Sequence, residues 1–316
     1  MEASRISLER IRQASHQIDP VFLHSPQYEC ESLSAVLGVS VTLKVETTNP
    51  IRSFKGRGAD YLLSQRKNQS PIVCASAGNF GQAMAYACRK RSIKLIVYAA
   101  TKANPLKIER MRALDAEVIL QGEDFDGSKE VARKEASRLG IDMIEDALAI
   151  ETVEGAGTIG LELVNHMKFD VILVALGNGA LFNGIATVFK DASPQTKRIA
   201  VQASGAPAMA ESWKSGRVVN HESIQTIADG IGVRLPIPQA LADMKPLAED
   251  VVTVSEASIL EAMRLLHHHT GLVVEPSGAV GIAALIENKS RFAGQRVATI
   301  ICGGNLTDEQ RIKWLG

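Results

Sequence analysis

The sequence predicts an α/β fold, and three observations carry that prediction. From about residue 41 onward, short β-branched runs alternate with longer helical patterns, as in parallel strands joined by helical crossovers. Most of the runs are nearly unbroken apolar stretches, which fits strands covered on both faces. Several lead directly into glycine-containing turns, the place where open α/β sheets hold ligands against the free amides of the next helix.

In chain order the expected strands are Val41–Val45, Ile72–Ala75, Leu95–Tyr98, Glu117–Leu120, Val171–Leu176, Arg198–Gln202 and Arg296–Ile301. A helix runs from the first turn toward Ser64, and small residues, Gln82-Ala-Met-Ala-Tyr-Ala, begin another. The helical pattern Ala257–Leu266 ends in His267-His-His269 before Gly271, where histidines suit the helix dipole and glycine suits the cap, so this tract is read as structural rather than metal-binding. Two seams interrupt the pattern, Gln121–Gly127 and Ile144–Gly157, and permit an inserted lobe ending near residue 147.

Composition narrows the function. The 316 residues make one large or two ordinary domains. Lys+Arg 35 balances Asp+Glu 35, so no global field draws the chain to nucleic acid or anionic lipid. Residues 51–120 hold an excess of nine positive charges (13 Lys/Arg against 4 Asp/Glu), read as solvated helix faces that could also favour an anionic ligand. Cys30, Cys74, Cys88 and Cys302 show no metal-binding spacing, and a reducing cytoplasm fits them best. Neither a signal peptide nor a run of eighteen apolar residues is present, so a chain that is neither secreted nor membrane-spanning is expected. No G-x-S-x-G occurs, which excludes a nucleophile-elbow hydrolase.

Four strand-end turns carry chemistry. The first, Asn49-Pro-Ile-Arg-Ser-Phe54-Lys55-Gly-Arg-Gly58, puts Lys55 in the first turn of a helix. The dipole there, with Arg52 and Arg57 nearby, favours an uncharged, nucleophilic amine able to join a carbonyl cofactor. The second, Ser76-Ala77-Gly78-Asn79, gathers a hydroxyl, amides and a carboxamide suited to a carboxylate. The third, Gly177-Asn178-Gly179-Ala180-Leu181, is a glycine-containing turn suited to one phosphate group. Phe182 and Gln202 replace the last glycine and the acidic ribose ligand of a dinucleotide fingerprint, so NAD is disfavoured. The fourth is Cys302-Gly-Gly-Asn305, whose thiol sits where a ligand ring atom could meet it.

Together and in this order, the turns resemble the pyridoxal-phosphate enzymes of the tryptophan-synthase-β fold type (fold type II), specifically the threonine/serine dehydratase branch that includes serine racemase. Gly155-Ala-Gly-Thr-Ile-Gly160, Thr226-Ile-Ala-Asp-Gly230 and Val274-Glu-Pro-Ser-Gly278 extend the likeness over nearly the whole chain. The resemblance implies two open, mainly parallel twisted sheets flanked by helices, with pyridoxal 5'-phosphate between the lobes. Residues 1–69 and 148–316 would form the large domain and 70–147 the small one. It implies that Lys55, beside Phe54, holds the cofactor and then serves as general base toward Cα. Ser76, Ala77, Gly78 and Asn79 would grip the substrate carboxylate, with Asn79 also touching the ring hydroxyl. Gly177, Asn178, Gly179, Ala180 and Leu181 would hold the phosphate, and Cys302 would face the ring nitrogen.

The implied activity is an ammonia-lyase reaction, α,β-elimination from threonine, serine or a related 3-hydroxy amino acid to a 2-keto acid and ammonia, in a cytoplasmic homodimer. β-Replacement of the cysteine synthase type, a serine racemase-like enzyme and a non-catalytic amino-acid sensor are the alternatives. Ala77 stands where racemases place a second serine, so racemisation is expected to be minor. Val201–Pro207 lacks the acidic residues of metal-dependent relatives, so no metal is expected. Phe80 replaces the family's usual histidine after Asn79. The end at Gly316 leaves no appended regulatory domain, so the short catabolic type is expected.

Overall fold

A computed structural model describes residues 4–316. Ten strands form two sheets: β1 (Gln27–Glu29), β2 (Ser40–Val45), β3 (Ile72–Ala75), β4 (Leu95–Ala99), β5 (Glu117–Leu120), β6 (Asp142–Ile144), β7 (Val171–Ala175), β8 (Lys197–Ala203), β9 (Asp250–Val254) and β10 (Arg296–Ile301). The six-stranded sheet has the order β1-β2-β10-β7-β8-β9, parallel except for β1 against β2. The four-stranded sheet, β5-β4-β3-β6, is wholly parallel.

Every anticipated strand is present within a residue at each end. Three others were not anticipated. β1 and β6 are three-residue edge strands too short to display a period. β9 carries Val251-Val-Thr-Val254, but as an edge strand it buries only part of that run and follows an acidic stretch. The seam expected at Ile144–Gly157 is corrected: Ile150–Val164 is a helix, and its glycines serve packing rather than flexibility. A Cβ on Gly155 would stand 2.6 Å from the Cα of Gly58, and one on Gly184 would stand 2.2 Å from the carbonyl of Val153. Helices Lys55–Ser64, Ile150–Val164 and Ala180–Ala192 therefore approach backbone to backbone beneath the large sheet's core, which fixes where Lys55 emerges.

Helix Glu256–Thr270 ends with the three histidines and Gly271 at φ 70°, a left-handed cap. Among the described residues, no helix is long and apolar enough to cross a membrane.

Candidate active site

Three of the four turns leave adjacent strands. β10 lies between β2 and β7, and Ile301 pairs with Val45, so the segments after β2, β10 and β7 start side by side. Ser53 and Gly303 then form an antiparallel bridge. The Phe54 amide and Ser53 Oγ donate to the Cys302 carbonyl at 3.0 and 3.2 Å, and the Gly304 amide donates to the Arg52 carbonyl at 3.0 Å. Asn49 braces the loop, donating to the carbonyls of Glu46 and Ser53 and accepting from the amides of Ile51 and Ser53. Lys55, the first residue of its helix, is thus fixed beside the fourth turn, its amine 4.6 Å from the centre of the Phe54 ring.

The second turn arrives from the smaller sheet. Asn79 Nδ2 donates to Glu275 Oε1 at 2.7 Å, while its Oδ1 accepts from Asn305 Nδ2 at 2.8 Å. Asn305 Nδ2 also reaches the Ile51 carbonyl at 2.9 Å, and Arg110 donates to Asn305 Oδ1. Lys107 Nζ meets Asp229 Oδ2 at 2.6 Å. Burial pulls the Lys107 ammonium down, but Asp229 and Glu275 outweigh it and hold the group above its ordinary value. Burial pushes the carboxyl of Glu275 up, against the pull of Lys107.

Ser76 Oγ accepts from the amides of Gly78 at 3.2 Å and Gly81 at 2.9 Å, so it caps helix Asn79–Lys90 locally. The amides of Ala77, Asn79 and Phe80 meet no acceptor among the described residues. The amides of Asn178, Gly179, Ala180 and Leu181 are likewise unpaired at the head of a thirteen-residue helix, with Gly179 at φ 93°. The Asn178 side chain is engaged elsewhere, accepting from the Ile237 amide at 3.2 Å, so this residue offers its backbone only. Both sets are groups of unsatisfied donors at the start of a helix, the usual basis of anion binding.

Cys302 is buried, which pushes its thiol well above the ordinary range and keeps it neutral. Beside it Ser277 Oγ is buried with no partner among the described residues, and a Cβ on Gly230 would come within 2.8 Å of that oxygen. Amine, unpaired amides at a helix N-terminus, neutral thiol and unpaired hydroxyl together fit pyridoxal phosphate: a lysine for the aldehyde, donors for the phosphate and polar atoms for the ring.

The expected approach of Arg57 to the Lys55 amine is corrected. Lys55 Nζ contacts Asp146 Oδ2, and Arg57 points away from it into Glu46 and Glu162. Asp146, Glu275 and Asn305 were not singled out from sequence. Glu275 precedes a proline-initiated helix and Asn305 closes the Cys302 turn, signals that could have been used. Nothing local marks Asp146.

The chain is similar to known proteins over most of its length. A family model described as pyridoxal-phosphate dependent enzyme matches residues 18–303. L-threonine dehydratase biosynthetic IlvA of Halalkalibacterium halodurans is 33% identical over 309 residues, covering 95% of this chain and 74% of that protein. L-threonine ammonia-lyase of Thermotoga maritima is 33% identical over 305 residues, covering 95% and 76%. The structure of maize serine racemase superposes with a TM-score of 0.91 at 26% identity, covering 98% of this chain and 96% of that one.

Proposed function

The chain belongs to the pyridoxal-phosphate dependent enzyme family, and on that premise we propose that it is an ammonia-lyase that dehydrates threonine, serine or a related 3-hydroxy amino acid to a 2-keto acid and ammonia. The convergence of the lysine, carboxylate-loop and cysteine turns through the Ser53–Gly303 bridge and the Asn79–Asn305 hydrogen bond, with the phosphate-loop turn leaving the strand next to β10, carries this reading. Relatives named as threonine dehydratase and threonine ammonia-lyase support its substrate class.

Lys55 Nζ would hold the cofactor and would then be the base that takes the Cα proton. The free amides of Ala77, Asn79 and Phe80, with the Ser76 hydroxyl as a donor, hold the substrate carboxylate and so orient Cα–H toward Lys55. The amides of Asn178 to Leu181, with Gly177 before them, hold the phosphate. When bound, pyridoxal phosphate supplies an electron sink conjugated to Cα. Cys302 would face the ring nitrogen of that group, and a neutral thiol there would offer it no carboxylate partner, which would favour loss of the β-hydroxyl over a long-lived carbanion. Ala77 provides no second hydroxyl for reprotonation from the opposite face, which sets elimination above racemisation.

Residues 70–147 act as the smaller lobe in this reading, the enzyme works as a homodimer, and the four free, buried cysteines favour the reducing cytoplasm. The test is a keto-acid assay over a panel of 3-hydroxy amino acids, with borohydride trapping and peptide mapping. The expected result is turnover of at least one of them and a pyridoxyl label on Lys55, both lost in Lys55→Ala. A label on another lysine, or keto acid formed by Lys55→Ala, overturns the assignment.

A further inference from the structure

The carboxylate of Asp146 belongs to no turn described so far. It stands two residues after the edge strand β6, with one oxygen, Oδ2, on the amine of Lys55. Its other oxygen, Oδ1, is buried and has no hydrogen-bond partner among the described residues. An unpaired buried carboxylate oxygen is costly, and such atoms concentrate where a ligand or reacting group completes the set. Asp146 lines a cavity of about 50 Å³ together with Ala75 at the end of β3, Asn178 of the phosphate turn, Lys129 and Glu145. That volume admits one small polar group. Glu145 is held by Arg133 at 2.6 Å and Lys129 by Asp126 at 2.9 Å, which leaves Asp146 as the lining carboxylate with a free oxygen.

The backbone is strained to place it. The next residue, Ala147, has φ 64°, a left-handed conformation that costs a non-glycine residue about 1–3 kcal/mol and persists only where neighbours impose it. Here they do: Arg5 donates to the Ala147 carbonyl at 3.0 Å, and the Ala147 amide donates to Thr152 Oγ1 at 3.2 Å.

We propose that Asp146 is the proton relay between Lys55 and the leaving hydroxyl of the substrate. This rests on the elimination reading above. In that reaction the Cα–H bond breaks and Lys55 Nζ takes the proton, while the electron pair ends as the Cα=Cβ bond. The Cβ–O bond breaks with its pair on oxygen, and that oxygen needs one proton to depart as water. Asp146 receives the proton from Lys55 at Oδ2, the neutral carboxyl group turns about its Cβ–Cγ bond so that the protonated oxygen takes the place of Oδ1, and that same proton passes to the leaving oxygen from the side of the cavity between the end of β3 and the phosphate turn. Lysine and aspartate both return to their starting protonation states, and no outside acid is consumed.

Serine and 3-chloroalanine separate this role from a structural one, because chloride departs without a proton. Asp146→Asn is expected to lower kcat on serine about a hundredfold, with a loss on 3-chloroalanine smaller by about tenfold or more, and Asp146→Glu to recover part of the serine rate. Independently of turnover, removing the carboxylate should move the pH midpoint of the bound cofactor's visible absorption down by about one pH unit, since the nitrogen of Lys55 loses its counter-charge. Equal losses on both substrates, or a rise in KM alone, overturn the relay, the latter pointing to substrate selection instead. Should the asparagine variant not fold, the ratio of the two rates in Asp146→Glu decides the same question. Keto acid from neither substrate with the unmodified enzyme counts against the lyase reading, and the absorption titration then decides whether Asp146 acts on the nitrogen of Lys55.

Discussion

Lys55 and Arg57 are two residues apart on one helix and belong to opposite kinds of ion cluster. The Arg57 side chain is fully buried, and every N–H donor is used: Nε and Nη2 on Glu46 at 2.8 Å, Nη1 and Nη2 on Glu162 at 2.6 and 3.0 Å, with Thr158 and Ser25 completing the set. Lys44 joins through Glu162 and the Ser25 carbonyl, so two cations meet two anions. Around Lys55 the reverse holds: Asp146 Oδ1, Ser277 Oγ and seven turn amides lack partners among the described residues. Saturated polar groups hold the scaffold in place, and unsaturated ones wait for a ligand.

The largest expected effect breaks the saturated cluster. Arg57→Leu leaves Glu46 and Glu162 buried against one remaining cation and should destabilise the fold by about 3–5 kcal/mol in urea unfolding. Lys55→Met, which removes a partly exposed amine from an unsaturated site, should change the stability of the cofactor-free protein by no more than about 1 kcal/mol. Similar losses from both would erase the distinction between the clusters.

Acid is a second way to break it. Burial pushes Glu162 up, but the hydrogen bonds and charges of Arg57 and Lys44 outweigh it and hold its carboxyl at about 2, against an ordinary 4.5. A depressed value means that this stabilisation is complete above pH 4.5 and drains away as pH falls toward 2, about 3 kcal/mol in all. Glu162→Gln should lose most of it at neutral pH and show a flatter dependence over the same window, read from urea midpoints.

The sequence made one of these clusters legible and hid the other. The turns are visible because glycine, asparagine and small helical residues are forced on a chain that must bring amides to an anion at a strand end. The central strands are visible because both of their faces are covered. Arg57 read as a local charge near Lys55, since nothing in the sequence says that Glu46 lies eleven residues back in space as well as in chain, or that Glu162 arrives on a helix of glycines. That helix itself looked like a seam: Gly155, Gly157 and Gly160 signal flexibility until Gly58 and Gly184 are seen packed against it. Asp146 was invisible for a related reason. Its role depends on the parallel pairing of β6 with β3, a long-range choice made by a three-residue strand with no periodic signal.

Glu275 tests the comparison from the other side and with the smallest effect, because it is a buried acid within the site network rather than in the scaffold. Its neighbours are Lys107, Asp229, Asn79 and Asn305, and burial outweighs the one cation among them, so its carboxyl titrates above the ordinary range. The sign is therefore opposite to that of Glu162: stability from the neutral acid is complete below the ordinary carboxylate value and is lost as pH rises through the raised one. Glu275→Gln cannot ionise, so its stability relative to the unmodified protein should improve as pH is raised from 5 to 8, by less than either change above. A relative stability that instead declines over that range would mean that the Glu275 carboxylate is fully compensated by Lys107, and the line between saturated scaffold and unsaturated site would have to be redrawn around it.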